Sequence, residues 1–489
     1  MWSTFVRSLF ARKNHQPCRK PAFTRTRLQV ENLEDRCVPS GTQVLQVGPG
    51  QAYTTIQSAV NAASPGAIVL VNPGVYQEQV TITKSIELIA GHTYNCGWGY
   101  NDGTSVIEAP TTLGTQTVAN PDAIVHVTGA GVDAEIQGFT IEGVSSAGTP
   151  NLLYGVRVDG GASADIDFNN ITNITDSLNS QLGVGISIGN ASNSNDGLGT
   201  QLGSASIIGN SVTNYQRAGV VISSTGSWAF VLSNYISATN NPATATLADS
   251  VTGVEVSAGA AGTIAFNAIT NNTNNTDGSG VLLFQSGQGT EVAFNSISGN
   301  DYGVFGSGET GNAQVGGRSN CYGGFGYHFG GDWGSACGGN FGGLGVAVDS
   351  NSITGNTFNG IEFDNSTGVN ISNNIASNNG GNTLFYGDGG IYLFQSTGNI
   401  ISNNQTNNNN GSGIFMDVGS TGNLISGNTS NGNFYNLIDV SADYVDETSG
   451  NGTAQTGNTW TNDSGANSIT LSGQSLTHSA KPHSFGWGF

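Results

Sequence analysis

In the stretch Gly360-Ile361-Glu362-Phe363-Asp364, apolar and acidic residues alternate. Side chains in an extended strand point to opposite faces in turn, so Ile361 and Phe363 share one face and Glu362 and Asp364 the other. Two strand residues separate the carboxylates by about 6.5–7 Å. That overlaps the spacing of the acid and base in an inverting glycoside hydrolase. Glu362 and Asp364 are therefore the candidate catalytic pair, with solvated carboxylates beside a turn as the plainer alternative.

The same register recurs. A glycine followed by an apolar residue opens a short strand at Gly155, Gly185, Gly219, Gly253, Gly280, Gly303, Gly360, Gly390 and Gly413, and a tenth copy is expected from Asn436. Aligned on these starts, the second and fourth strand residues form outward columns. They are Arg157 and Asp159, Ser187, Val221, Glu255, Leu282 and Phe284, Phe305, Glu362 and Asp364, Tyr392 and Phe394, then Phe415 and Asp417. Rings stack on the apolar faces of pyranoses, and carboxylates accept hydrogen bonds from sugar hydroxyls. Glu255, Phe284, Phe305, Tyr392, Phe394, Phe415 and Asp417 are thus the candidate substrate-binding residues, because a contiguous exposed apolar stripe is not ordinary surface. A stabilising aromatic ladder and a partner interface stay open as other readings. Arg157, Asp159, Asp165 and Asp167 form a second polar cluster, read as a surface ion pair.

The elements that would carry these residues follow from the repeat. The shortest spacing between starts is 23 residues, and longer ones read as the same unit with insertions. A second signal, N-x-[IV]-x-(x)-N, lies between the strands as NNITN, NSVTN, NAITNN, NSISGN and NSITGN. One such unit cannot bury its apolar row, whereas stacked units with parallel strands can. Asparagine suits the turns because it tolerates positive φ and hydrogen-bonds to a stacked neighbour. The repeat is thus one coil of a parallel β-helix. It is too short for a propeller blade, and helical repeats need a 3.6-residue period that is missing here. Near the start, Ile56, Ala59, Val60 and Ala63 share one helical face, so a short helix is expected to cap the first strands.

The 489 residues carry a net charge of −20, with 9% charged residues and 74 glycines. Residues 1–40 hold eight of the 13 basic residues and three of the 33 acidic ones, which leaves 41–489 strongly acidic. Such a body repels nucleic acid and anionic membrane. No apolar run reaches the length of a spanning helix. Of the five cysteines, Cys321 and Cys337 flank a Gly-rich, aromatic insertion (306–345) and are the expected disulfide in an oxidising compartment. That insertion is expected to act as a lid or wall, or to pack on itself. Asp-Gly pairs are turn chemistry first. No cofactor is expected, and Ca²⁺ is the one ion such carboxylates could hold.

Two resemblances add to this reading. TTIQSAVNAA, PGVYQEQVTI and IQGFTIEG resemble the first coils of the pectin-lyase-like superfamily through Thr55, Ile56, Gln57, Ala59, Pro73, Gly74, Tyr76, Glu78, Val80, Ile82, Gly138, Phe139, Thr140 and Ile141. The resemblance implies an all-β, single-stranded right-handed parallel β-helix. It implies no particular chemistry, because the motifs of pectin esterases, polygalacturonases, pectate lyases and uronan epimerases are missing. RLQVENLEDRCVPS resembles the LEPR-XLL type of bacterial export segment through Leu28, Glu31, Leu33, Glu34, Arg36, Pro39 and Ser40. It implies delivery outside the cell. The expectation is a basic segment (1–40), a β-helix (41–475) and a tail (476–489), forming a monomeric extracellular or cell-surface protein. It would bind polysaccharide along the aromatic and acidic face, with hydrolysis as the reaction its carboxylates offer. The alternative is a noncatalytic structural or adhesive surface protein.

Overall fold

A computed structural model of the chain describes residues 42–91, 104–113, 122–143, 152–175, 183–190, 201–238, 251–274, 277–311, 345–380, 389–433, 442–470 and 481–482. From Ala67–Val71 to Asn467–Thr470 the chain winds through three sheets in turn, so that every third strand returns to the same sheet. Sheet 1 has 14 strands, from Val44–Val47 to Thr459–Thr461. Sheet 2 has 13, from Gly74–Gln77 to Ser464–Gly465, and sheet 3 has 14, from Val80–Ile82 to Lys481–Pro482. Neighbouring strands run parallel and in register: Val156, Ile186, Val220, Val254 and Val281 form one inward column, which continues through Val304, Ile361, Ile391 and Ile414. All nine are buried, as the alternation requires. The pair Lys481–Pro482 adds a last rung to sheet 3 inside the expected tail.

The glycine before each of these residues sits where sheet 2 gives way to sheet 3, and its reason is space. A Cβ on Gly253 would lie 2.4 Å from the carbonyl oxygen of Gly280 and 2.4 Å from Ile269 Cγ2, and one on Gly280 would lie 2.7 Å from the Gly303 carbonyl oxygen. Across these nine rungs the stacking at strand spacing leaves no room for a Cβ. The tenth copy differs from expectation. Tyr444 pairs with Ile414, so this strand is Tyr444–Asp446 and Asp443 stands in the glycine position. With no glycine, the signal that marks the other strands is missing, whereas Asn436 lies outside the described residues.

Between sheets 1 and 2 the connection is two residues in rung after rung, as at 294–295, 350–351 and 373–374. The second residue builds a ladder: Asn169, Asn210, Asn234, Asn267, Asn295, Asn351, Asn374, Asn404 and Asn428, ending on Asp463. Each side-chain oxygen accepts from the preceding rung. Each Nδ2 reaches back to a carbonyl such as Val292 O, 2.8 Å from Asn351. A second ladder joins Asn272, Asn300, Asn356, Asn379, Asn409 and Asn433. The two asparagines of NSISGN and NSITGN are thus one rung of each ladder.

The first coils are closed by the helix Ile56–Ala62, whose Ile56, Ala59 and Val60 are buried. Glu78 accepts the N–H groups of Ile56 and Gln57 at 2.7 and 2.9 Å. Lys84 Nζ donates to the carbonyls of Asn61 and Ala63 at the other end. The Gln57 side chain bonds the backbone of Thr81 in both directions, at 2.6 and 3.2 Å, and so satisfies an exposed strand edge. These motif residues hold the cap and leave chemistry to the sheets.

Candidate functional site

Two outward columns of sheet 3 carry the candidate residues. One runs Glu255, Leu282, Phe305, Glu362, Tyr392, Phe415 and Val445. The other runs Ser257, Phe284, Ser307, Asp364 and Phe394, followed by Asp417, whose N–H donates to Leu393 O. The directions match the alternation, but the exposures do not all match an open groove. Phe284 is 46% exposed, while Phe305, Phe394, Asp364 and Asp417 are half-buried. Tyr392 and Phe415 are 9% and 2% exposed, so they are not open ring faces. They pack with Ala442 and Val445, and Phe394 and Ile469 lie against them. Strand alternation fixes where a side chain points and says nothing of what covers it. Glu255 is also buried, and its carboxylate is held by Arg217 at 2.5 Å.

The carboxylates gather around Asp364. Glu362 is 8% exposed and accepts from Asn359 Nδ2 at 2.7 Å. It also shares a side-chain hydrogen bond with Asp364. The strand repeat sets the two Cα atoms about 6.5–7 Å apart, and the two side chains come within hydrogen-bonding reach of each other. Burial pushes the Asp364 carboxyl above its ordinary range; the bond with Glu362 pulls it back, and the charge of Asp417 pushes it up again. Asp417 in turn accepts from the Tyr392 hydroxyl at 2.8 Å. That phenol is held well above its ordinary value by burial, then by Asp417, Glu362 and Asp364. Oδ1 of Asp364 has no hydrogen-bond partner among the described residues.

The second polar cluster separates onto two sheets. Arg157 and Asp159 face outward from sheet 3 but are fully buried, so they are not a surface pair. Asp159 bonds Arg157 Nε at 2.7 Å and His126 Nε2 at 2.8 Å. Burial opposes its ionisation, while the hydrogen bond and charge from His126, then Arg157 and Thr128, hold its carboxyl below the ordinary value. The sequence reading missed His126 because Ile124 precedes its strand register where later coils have glycine. Extending the Arg157 column one rung back, through the Arg157–His126 pairing, finds it.

Asp165 and Asp167 instead face outward from sheet 1, beside Glu135 and near Asp133 and Glu87. Burial, then Asp165 and Glu135, raise the Asp167 carboxyl to about 7. Its folded value lies above its unfolded one, so ionisation opposes the fold and stability is lost as pH rises from about 4 to about 7. Asp167→Asn is expected to raise stability at pH 8 by about 2 kcal/mol, a figure already reduced for partial exposure, and to leave it unchanged at pH 4. Denaturant titration at the two pH values checks this, and an equal effect at both would contradict it.

Comparison with known proteins agrees with the architecture. The right handed beta helix region family matches residues 336–477. The Dettilon tailspike protein is similar at 17% identity over 79% of this chain and 66% of that one, with a TM-score of 0.50, so the chain spans about two thirds of its length. XylC, solved with xylose, is similar at 13% identity over 80% of this chain and 84% of that one, also with a TM-score of 0.50. The protein is a right-handed parallel β-helix. The A-module of the Azotobacter vinelandii mannuronan C-5 epimerase AlgE4 is 12% identical over 76% of this chain and 89% of that one, with a TM-score of 0.48. No curated protein matches the sequence.

Most long connections of the β-helix border sheet 3. They enter it between Glu108 and Ala123, Glu142 and Tyr154, Ser237 and Thr252, Ser377 and Gly389, and Asn431 and Tyr444, and leave it between Ile188 and Gly203, Ser307 and Ala347, and Asp446 and Thr459. Among the described strands, the one long connection between sheets 1 and 2 is that after Ala90. The 306–345 insertion therefore opens directly from the strand that carries Phe305, although the strand itself runs on to Ser307. Cys321 and Cys337 lie outside the described residues, as do residues 1–41. No helix among the described residues is long and apolar enough to cross a membrane.

Proposed function

We propose that the β-helix is an extracellular or cell-surface protein that binds a polysaccharide across the outward face of sheet 3, centred on Asp364, Phe394 and Asp417. One observation carries this: two half-buried carboxylates flank a half-buried ring on consecutive rungs, and one carboxyl oxygen of Asp364 is left without a partner among the described residues. A buried oxygen left in that state is costly unless a ligand donates to it. A sugar hydroxyl is a donor of the right kind, and the ring offers a stacking face. Phe305 and Phe284 extend the surface toward earlier rungs. XylC's complex with xylose supports a sugar ligand for this fold. The extracellular setting is supported by the export-type segment and by the acidic body.

Hydrolysis of the bound chain is a second reading, favoured by the raised carboxyl of Asp364. Asp364 and Asp417 stand two rungs apart, about 9.5 Å along the axis, at the wide end of the spacing for an inverting acid and base. Asp364 would donate the proton and Asp417 would activate the water.

Affinity electrophoresis through gels holding neutral or acidic polysaccharides, with and without Ca²⁺, tests the first reading. Wild type is expected to be retarded by at least one polymer, and Asp417→Asn and Phe394→Ala to weaken this at least tenfold. Retardation by none of them would favour the noncatalytic structural reading. New reducing ends that vanish in Asp364→Asn, with binding retained, would establish hydrolysis.

A further inference from the structure

The two-residue connection between sheets 1 and 2 has a second regularity. Its first residue takes a left-handed backbone in rung after rung: Gly138, Phe168, Gly209, Ser233, Phe266, Phe294, Ser350, Asn373, Asn403, Gly427 and Asn462. Glycine and asparagine are the residues that reach this region readily, and a bulky side chain there is an outlier. Yet three rungs use phenylalanine, with φ of 55°, 59° and 56° at Phe168, Phe266 and Phe294. Burial does not explain the choice, because the rings are 53%, 47% and 37% exposed. The chain thus holds three rings in a disfavoured backbone and leaves part of each ring exposed.

The rings are ordered. Phe266 and Phe294 stack with ring centroids 5.2 Å apart and planes 5° from parallel. The Phe168 ring lies over the next rung, where a Cβ on Gly209 would meet it at 2.7 Å. Phe230 on sheet 1 and Tyr235 on sheet 2, from the rung between Gly209 and Phe266, are exposed on either side of the same corner. The result is an aromatic ridge running along the axis for about 19 Å, four rungs at strand spacing, at the corner that separates sheets 1 and 2.

We propose that this ridge is a second glycan-binding surface, independent of the sheet 3 site, and that it takes a neutral polysaccharide chain laid along the axis. Charge selects the occupant. Residues 41–489 hold five basic residues and 30 acidic ones, so a second copy of the chain, an anionic polymer and an anionic membrane are all repelled. A neutral glycan presents apolar C–H faces to exposed rings and carries no charge to oppose. A repeating polymer also matches a ridge that repeats by the rung.

The test pairs binding with stability. In the full chain, Phe266 and Phe294 are replaced together by residues other rungs use, as Phe266→Asn and Phe294→Ser. Retardation is then measured in gels containing soluble neutral β-glucan or xylan. The Kd of the double variant for the neutral polymer is expected to rise at least tenfold, while its thermal midpoint stays level or rises because the backbone is relieved. An unchanged Kd, a lowered midpoint with unchanged binding, or no retardation of wild type by any neutral polymer would each overturn the proposal. Phe394→Ala, measured alongside, reports the sheet 3 site separately. If that variant loses all binding while the ridge variant loses none, the proposed function stands and the ridge is a structural ladder or a protein contact.

Discussion

Gly253→Ala is expected to destabilise the β-helix by at least about 3 kcal/mol, at the upper end of what overpacking costs. The new methyl would meet the Gly280 carbonyl oxygen and Ile269 Cγ2, each at 2.4 Å. Neither can move cheaply: the first is backbone inside a ladder of parallel strands, and the second is a fully buried core residue. Gly289→Ala is the informative control. Nothing lies within 4 Å of its Cβ position, but its φ is +87°, so only backbone strain of about 1 kcal/mol is expected. Urea titrations of the two variants separate space from backbone freedom as the reason for glycine. Equal losses would show that the column needs glycine for its conformation and that the packing argument is wrong.

Asn351→Ala is expected to cost about 3–5 kcal/mol. Asn351 is 1% exposed and accepts from the N–H and Nδ2 of Asn295, both at 3.0 Å. It donates to Val292 O, Asp349 O and Asn374 Oδ1. Alanine strands buried groups on both neighbouring rungs, and each such group costs about 1–3 kcal/mol when left unpaired. Asn373, two positions after Ile371 in the next turn, is exposed and bonds Asp349 at the surface, so Asn373→Ala should cost far less. Because each rung rests only on its neighbours, the loss should appear as local opening around 292–298 and 348–377 before global unfolding. Hydrogen exchange resolves this, and uniform loss of protection along the chain would contradict it.

Much of the architecture was legible because it is periodic. The register of Gly360-Ile361-Glu362-Phe363-Asp364 with the Gly390 and Gly413 starts and the asparagine signal follow from one rung being like the next, and the helix at 56–62 follows from its own apolar face. What failed to show lies where a rung departs from the pattern. Asp443 replaces glycine, so the start of the tenth copy is expected too early, at Asn436 rather than Tyr444. His126 follows Ile124 where glycine was sought, so the partner of Asp159 was not seen. The site was half legible for a different reason. Alternation places Glu362, Tyr392 and Phe415 outward, yet all three are buried; Tyr392 and Phe415 pack with Ala442 and Val445, contacts that alternation within one strand does not report. The ridge was readable in principle. Phenylalanine directly before a ladder asparagine occurs at 168–169, 266–267 and 294–295, but only the left-handed backbone gives that pairing its meaning.

The most direct test of the central claim is hydroxyl-radical footprinting of the full chain, with and without the polysaccharide that retards it most. Phe284, Phe305 and Phe394 are exposed enough to be oxidised in the free protein. Binding across sheet 3 predicts that their oxidation falls several-fold on saturation, and that Phe415, already buried, does not change. Protection confined to Phe168, Phe266 and Phe294, or absent from every ring, would contradict a polysaccharide site on sheet 3.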